Sequence, residues 1–175
     1  MTAQCAKTVS DIRCPNDTIG KSRYCKDHRA ESRANFKNMI AEQAQQRADR
    51  DTKLAELFRQ AHEAGRAAAV AHTPEPMTVV QRANPLDDSS PIVKAYGPYA
   101  EGVCGFAWIV IHPGNCPAAN YAKKHLRAGP HYGGGTEIYV SDYGQSYERK
   151  MEYARAFAKV LQSAGIKAYS GGRLD

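Results

Sequence analysis

Four side chains near the amino end have the types and spacing of a metal clasp. Cys5, Cys14, Cys25 and His28 follow the pattern Cys-x8-Cys-x10-Cys-x2-His. Zinc takes thiolate and imidazole donors in a tetrahedron, and three cysteines with one histidine form a common structural set. Cys25 and His28 are the persuasive pair, because two intervening residues let both reach one ion from a turn that leads into a helix. Asn16, Asp17 and Gly20 supply turn chemistry for a hairpin that would return Cys14 beside Cys25. The stretch from Cys5 to Cys14 is longer than the roughly two to four residues that separate the first ligand pair in many fingers. With all four positions filled by protein, such an ion has no open site for a substrate or an activated water, so the expected Zn2+ is a staple. It would supply the folding energy that a polar, coreless segment lacks.

The surroundings of these ligands are basic. Lys21, Arg23, Lys26 and Arg29 lie among or beside them, and Arg33 and Lys37 follow. A basic surface on a rigid knob can neutralise phosphates and position a duplex, which makes nucleic acid the expected partner. The alternative is a solvated charged face without a ligand. The whole chain carries 24 Lys and Arg against 18 Asp and Glu, a formal charge of +6. That balance favours polyanions but does not select one.

No run approaches the roughly 18 apolar residues of a membrane-spanning helix, and the amino end has no apolar core of a secretory signal. The expectation is a cytoplasmic protein. In a reducing compartment the five cysteines are ligands, buried groups or free thiols, and not disulfides.

The cluster resembles the short treble-clef-type zinc fingers of bacteriophage proteins, in which a hairpin ends in Cys-x2-His and a helix follows. The likeness covers residues 5 to 35. Farther on, EGVCGFAWI, SDYGQSYERKMEYARAFAKVLQSAGIKAY and the closing GGRLD resemble an uncharacterised domain of tailed-phage proteins. That resemblance brings no activity. It implies a phage product acting in the host cytoplasm or in a virion. A separate reading is a virion component or an inhibitor of a host factor, in which the 29–72 helix and the proline-rich segment would contact a host or phage protein.

The elements that must position these groups fall into four stretches. Residues 1–30 form the finger-like segment. Residues 31–72 lack proline and are rich in Ala, Glu, Gln, Arg and Lys, all strong helix formers. Phe36, Met39 and Ile40, then Leu54, Leu57, Phe58 and Ala61, recur at the spacing of one helical face. Residues 44–52 are nearly all polar, which suits one exposed helix or two stacked ones. Residues 73–98 carry five prolines and read as a linker or an irregular wrapping segment.

Residues 99–175 read as the folded core. Residues 103–111 are apolar on both alternating faces, as in a central strand covered on two sides. A helix is expected over 117–128, a strand over 135–142, a helix over 146–165 with Ser146 as its cap, and a strand over 166–170. The order β-α-β-α-β points to a small three-stranded, or slightly larger, α/β sheet with parallel strands. An antiparallel α+β arrangement is the alternative.

A parallel sheet would bring its strand ends together and create a second candidate site. His112, Asn115, Asp142, Gln145, Ser146 and Arg173 would converge there beside the amino end of a helix, a setting for a phosphate, nucleotide or carboxylate. An enzyme or binder of such a ligand is the competing function. Turn chemistry alone also accounts for these residue types. Glu148 and Lys150, two apart on an expected helix, point away from each other and do not form a nuclease-like pair.

Overall fold

The computed structural model describes residues 3–9, 12–18 and 23–175. The chain divides into two compact units, Met1–Asp51 and Thr52–Asp175. Its elements in order are β1 (Thr8–Val9), β2 (Ile12–Arg13), α1 (Lys26–Ala71), β3 (Met77–Arg82), β4 (Ile92–Tyr99), β5 (Gly105–His112), α2 (Pro117–His125), β6 (Gly129–Pro130), β7 (Thr136–Tyr139), α3 (Tyr147–Ser163) and β8 (Lys167–Leu174).

In the first unit β1 and β2 pair antiparallel, with Thr8 opposite Arg13 and Val9 opposite Ile12. The ladder continues past the strands through Cys14 N–H to Lys7 O and Cys5 N–H to Asn16 O, both 2.9 Å. One hairpin is thus centred between Cys5 and Cys14; the turn expected at Asn16, Asp17 and Gly20 falls largely outside the described residues. Asp17 forms an isolated bridge with Gln4, and Gly20 lies outside the described residues.

The amino-terminal part of α1, up to Asp51, belongs to this unit. Residues 44–52 are helical and uninterrupted, so the single-helix alternative holds. No proline breaks the run, and its residues favour helix without burial. Phe36, Met39 and Ile40, expected on one helical face, are 63%, 43% and 48% exposed.

The second unit has a true core. From α1 it receives Leu54, Phe58, Ala61, Gly65 and Ala69, spaced as one helical face. The stretch 73–98, expected as a linker, forms the β3–β4 hairpin. Its prolines sit before β3, in the turn and at either end of β4, where they cost no central ladder bond.

The main sheet has the order β6-β7-β5-β8, with every neighbouring pair antiparallel. The parallel arrangement is thus overturned, and the antiparallel alternative is the one adopted. The glycine-rich stretch 129–135 is the reason. Gly134 and Gly135 both take φ of 88°, and the turn they make pairs β6 with β7, which returns alongside β5. From β7 the chain crosses through α3 to β8 on the far side of β5. The helical crossover that the sequence suggests is present, but an antiparallel strand lies inside it.

Ala107, Ile109, Ile111, Ile138 and Ala168 face one layer of helical side chains that includes Ala119, Ala122, Ala154, Phe157 and Leu161. Phe58 stacks on Tyr121 with ring centroids 5.1 Å apart and meets Phe157 edge-on at 5.9 Å. A Cβ on Gly65 would stand 2.8 Å from the Tyr153 ring; only glycine lets the helix come that close.

Candidate metal centre

The Cys5–Cys14 spacing becomes intelligible once the ladder is in place. Cys5 faces Asn16 and Cys14 faces Lys7, so the two cysteines are diagonal neighbours on one side of the hairpin. A strand pair does here what a tight knuckle turn does in other fingers. Ala6 N–H also donates to Arg23 O at 2.8 Å, drawing the chain before α1 against the same hairpin. Cys25 then closes the turn into the helix, since Arg29 N–H donates to its carbonyl at 2.9 Å. His28 follows in the first turn of α1.

One ligand atom from each of Cys5, Cys14, Cys25 and His28 lies within 4.8 Å of the others. The Cys5 and Cys25 sulfurs stand 3.5 and 3.4 Å from His28 Nδ1. Tetrahedral zinc, with bonds of roughly 2.3 Å to sulfur and 2.0–2.1 Å to nitrogen, separates such donors by about 3.5 Å. The residues therefore fit a metal ion such as zinc. Cys5 and Cys25 are buried, and no disulfide joins them to each other or to Cys14.

The electrostatics of the cluster suit a cation. Burial pushes the Cys5 thiol up, yet hydrogen bonds from the Lys7 and Cys25 backbones and from the His28 and Cys25 side chains outweigh it and bring it down to about 6. At Cys14 the Asn16 N–H pulls downward, but burial and the neighbouring Cys25 and Cys5 sulfurs win and raise it. A divalent ion at the four donors would take the cysteines as thiolates and offset their mutual repulsion. Arg13 donates through Nε to Cys5 O at 3.1 Å, and Gln4 donates to Cys14 O at 3.2 Å, so the ligand backbones are anchored from outside.

Arg23, Lys26, Arg29, Arg33 and Lys37 are all exposed; Lys21 lies outside the described residues. Lys26, Arg29, Arg33 and Lys37 follow one another at intervals of three and four on α1, which places them on one face. Asp27 and Glu31 fall on another side, where Glu31 holds Lys7 at 3.1 Å. The first three turns of the helix thus separate positive from negative charge.

The second expected site does not assemble as one group. His112 pairs with Lys167 at one end of the β5–β8 ladder, and Asn115 lies just beyond it. Arg173 pairs with Phe106 toward the other end, where Ser146 bridges Cys104, and Asp142 and Gln145 belong to that same loop. Antiparallel pairing is what divides them, because the carboxyl ends of β5 and β7 point in opposite directions. Ser146 occupies the cap position of α3, but its hydroxyl makes no capping bond and is buried without a partner among the described residues. Cys116 does cap α2, its sulfur accepting from Ala119 N–H at 3.4 Å. Glu148 accepts from His72 Nε2 at 2.7 Å, while Lys150 is buried and donates to Gly105 O at 3.0 Å.

Two features escaped the sequence reading. A cavity of about 340 Å³ in the second unit is lined by Phe58, Tyr121, Phe157, His62, Tyr153 and Asp142, with His62 Nδ1 hydrogen-bonded to the Tyr153 hydroxyl. Burial, followed by the nearby Tyr143 and Asp142, pushes the Tyr153 phenol up. The other is a layer of aromatic rings on the sheet, signalled by Phe106 and Trp108 at alternate positions of the apolar run and by His112 just past its end. No known protein family, curated protein or solved structure matches the chain. Among the described residues no helix is long and apolar enough to cross a membrane.

Proposed function

We propose that the first unit is a structural zinc finger that binds nucleic acid through the charged face of α1. Zn2+ is held by Cys5, Cys14, Cys25 and His28, and it fixes the hairpin against the start of the helix. It takes no part in a reaction, because the four protein donors fill its coordination. Lys26, Arg29, Arg33 and Lys37 then stand in register to meet successive phosphates, with Arg23 beside them.

The observation that carries this reading is the sorting of charge on the turns next to the clasp. A helix that needed its charges only for solubility would mix both signs, whereas a cationic stripe follows an anionic backbone. Contacts of this kind position a protein on a duplex without reading its sequence.

The test is the binding of a duplex of about 20 base pairs, followed by anisotropy across salt concentrations. Each phosphate contact adds roughly 0.9 to the slope of log affinity against log salt. The triple variant Arg29→Ala, Arg33→Ala, Lys37→Ala is expected to lower that slope by about two to three. Equal slopes for the two proteins would dismiss the helix as the contact. Metal analysis of the purified chain is expected to find one zinc ion per molecule.

A further inference from the structure

The two faces of the main sheet differ in kind. Strand residues alternate between faces, and on β5 the set Ala107, Ile109 and Ile111 enters the helix-covered core. Phe106, Trp108, Val110 and His112 therefore lie on the opposite face, where Val110 is fully buried between the rings of the neighbouring positions. By the same alternation β7 adds Tyr139 to that face, and β8 adds Tyr169, Gly171 and Arg173. Tyr139 and Tyr169 are 50% and 43% exposed.

These rings form a connected strip. Phe106 and Tyr139 have centroids 6.3 Å apart, and Trp108 lies 6.2 Å from His131, which reaches over from the turn before β7. His131 stands 6.4 Å from Tyr169, and Tyr169 lies over His112 at 5.6 Å with only 14° between the planes. The Trp108 indole is laid across the neighbouring strand. A Cβ on Gly171 would stand 2.5 Å from its Nε1, so glycine is what lets the ring lie flat. Trp108 is half-buried there, with the His131 ring tilted beside it.

Charge frames the strip. The Arg173 guanidinium sits 5.2 Å from the Phe106 ring centroid at one end, and Lys167 stands opposite His112 at the other. The strands contribute a single carboxylate to this face, Glu137, and it is bound to His131 Nδ1 at 2.6 Å. Aromatic faces flanked by cations match the two parts of one polymer, bases and phosphates. Bases paired in a duplex keep their π faces hidden, so only an unpaired strand can use such a surface.

We propose that this face of the β6-β7-β5-β8 sheet binds single-stranded nucleic acid. Bases stack on Trp108, Tyr169 and Tyr139, while Arg173 and Lys167 meet the phosphates. The site lies in the second unit and does not depend on the stripe of α1, whose expected target is a duplex.

The chain contains one tryptophan, so its fluorescence reports on this face directly. Titration of the full-length protein with an oligothymidylate of about ten nucleotides is expected to quench Trp108, since stacking is indifferent to base identity. Tyr169→Ala, at an exposed position outside the core, is expected to weaken binding of the labelled oligonucleotide about 5- to 150-fold. Trp108→Phe retains a stacking face and is expected to bind more tightly than Trp108→Ala. The triple α1 variant is expected to leave the quenching in place. Binding that leaves the Trp108 emission unchanged would overturn the proposal, as would equal affinity in Tyr169→Ala or no binding at low salt. Quenching by a neutral oligosaccharide but not by oligothymidylate would assign the face to sugars and overturn it as well.

Discussion

The two units reach order by opposite means. In the second, side chains such as Ile109, Ile111 and Leu161 are fully buried, and the removal of apolar surface from water drives folding. In the first, the buried residues with the most at stake are Cys5 and Cys25, and the helix beside them is exposed at nearly every position through residue 50. A hairpin of two-residue strands cannot stand alone in water. Four donor atoms converge beside it and could hold a metal ion. One unit is organised by what it excludes, while the other offers a cluster that an ion could close.

The sharpest way to break this contrast is to deny the four donors a metal ion. Treatment with a strong chelator, or the substitution Cys25→Ser, is expected to abolish hydrogen-exchange protection at the Cys5, Cys14 and Thr18 amides. Protection at Ile109 and Val110 should stay as it was. Retention of the first set after complete metal removal would show that the hairpin is self-sufficient and that the contrast is wrong.

A smaller effect comes from the opposite side. Leu161 is fully buried in the helical layer over the sheet. Leu161→Ala is expected to cost about 2–5 kcal/mol, read as a lower urea midpoint for the second unit. Zinc stoichiometry should be unaffected.

The smallest effect is a pH dependence confined to the second unit. The hydrogen bond from His72, helped by the Glu75 N–H, lowers Glu148 below its ordinary 4.5 despite partial burial. A depressed carboxylate contributes stability above its ordinary value and loses it as pH falls through the lowered one. The difference in urea midpoint between the native chain and Glu148→Gln is therefore expected to shrink as pH drops below 4.5. A constant difference through that range would dismiss the Glu148–His72 hydrogen bond as a source of stability.

What the sequence makes legible follows the range of each interaction. Cys25 and His28 are readable because three positions on a helix start fix their geometry locally. The helix over 26–71 and the burial of Leu54, Phe58 and Ala61 are readable for the same reason. The pairing of Cys5 with Cys14 is harder, since it needs a ladder whose strands are two residues long. Strand direction is not readable from the length of the 113–135 connection, which suits either sense. The turn at Gly134 and Gly135 decides it. Gly171 is the plainest case of hidden meaning: it looks like a loop residue, and its purpose appears only when Trp108 arrives from another strand. The prolines of 73–98 misled because proline bounds a ribbon as readily as it fills a linker.

The β3–β4 ribbon has a consequence for life at high concentration. It exposes Val79, Val80, Ile92 and Val93, the residue types from which cross-β fibres are built. Its register slips twice, between Met77 and Val79 and between Gln81 and Arg82, so the longest unbroken stretch of paired positions runs only from Val79 to Gln81. Each slip bends and twists the strand, and Lys94 and Pro98 interrupt the partner strand with a charge and a missing donor. A neighbouring copy finds no straight rail to zip onto, and the ribbon can stay sticky without seeding a fibril.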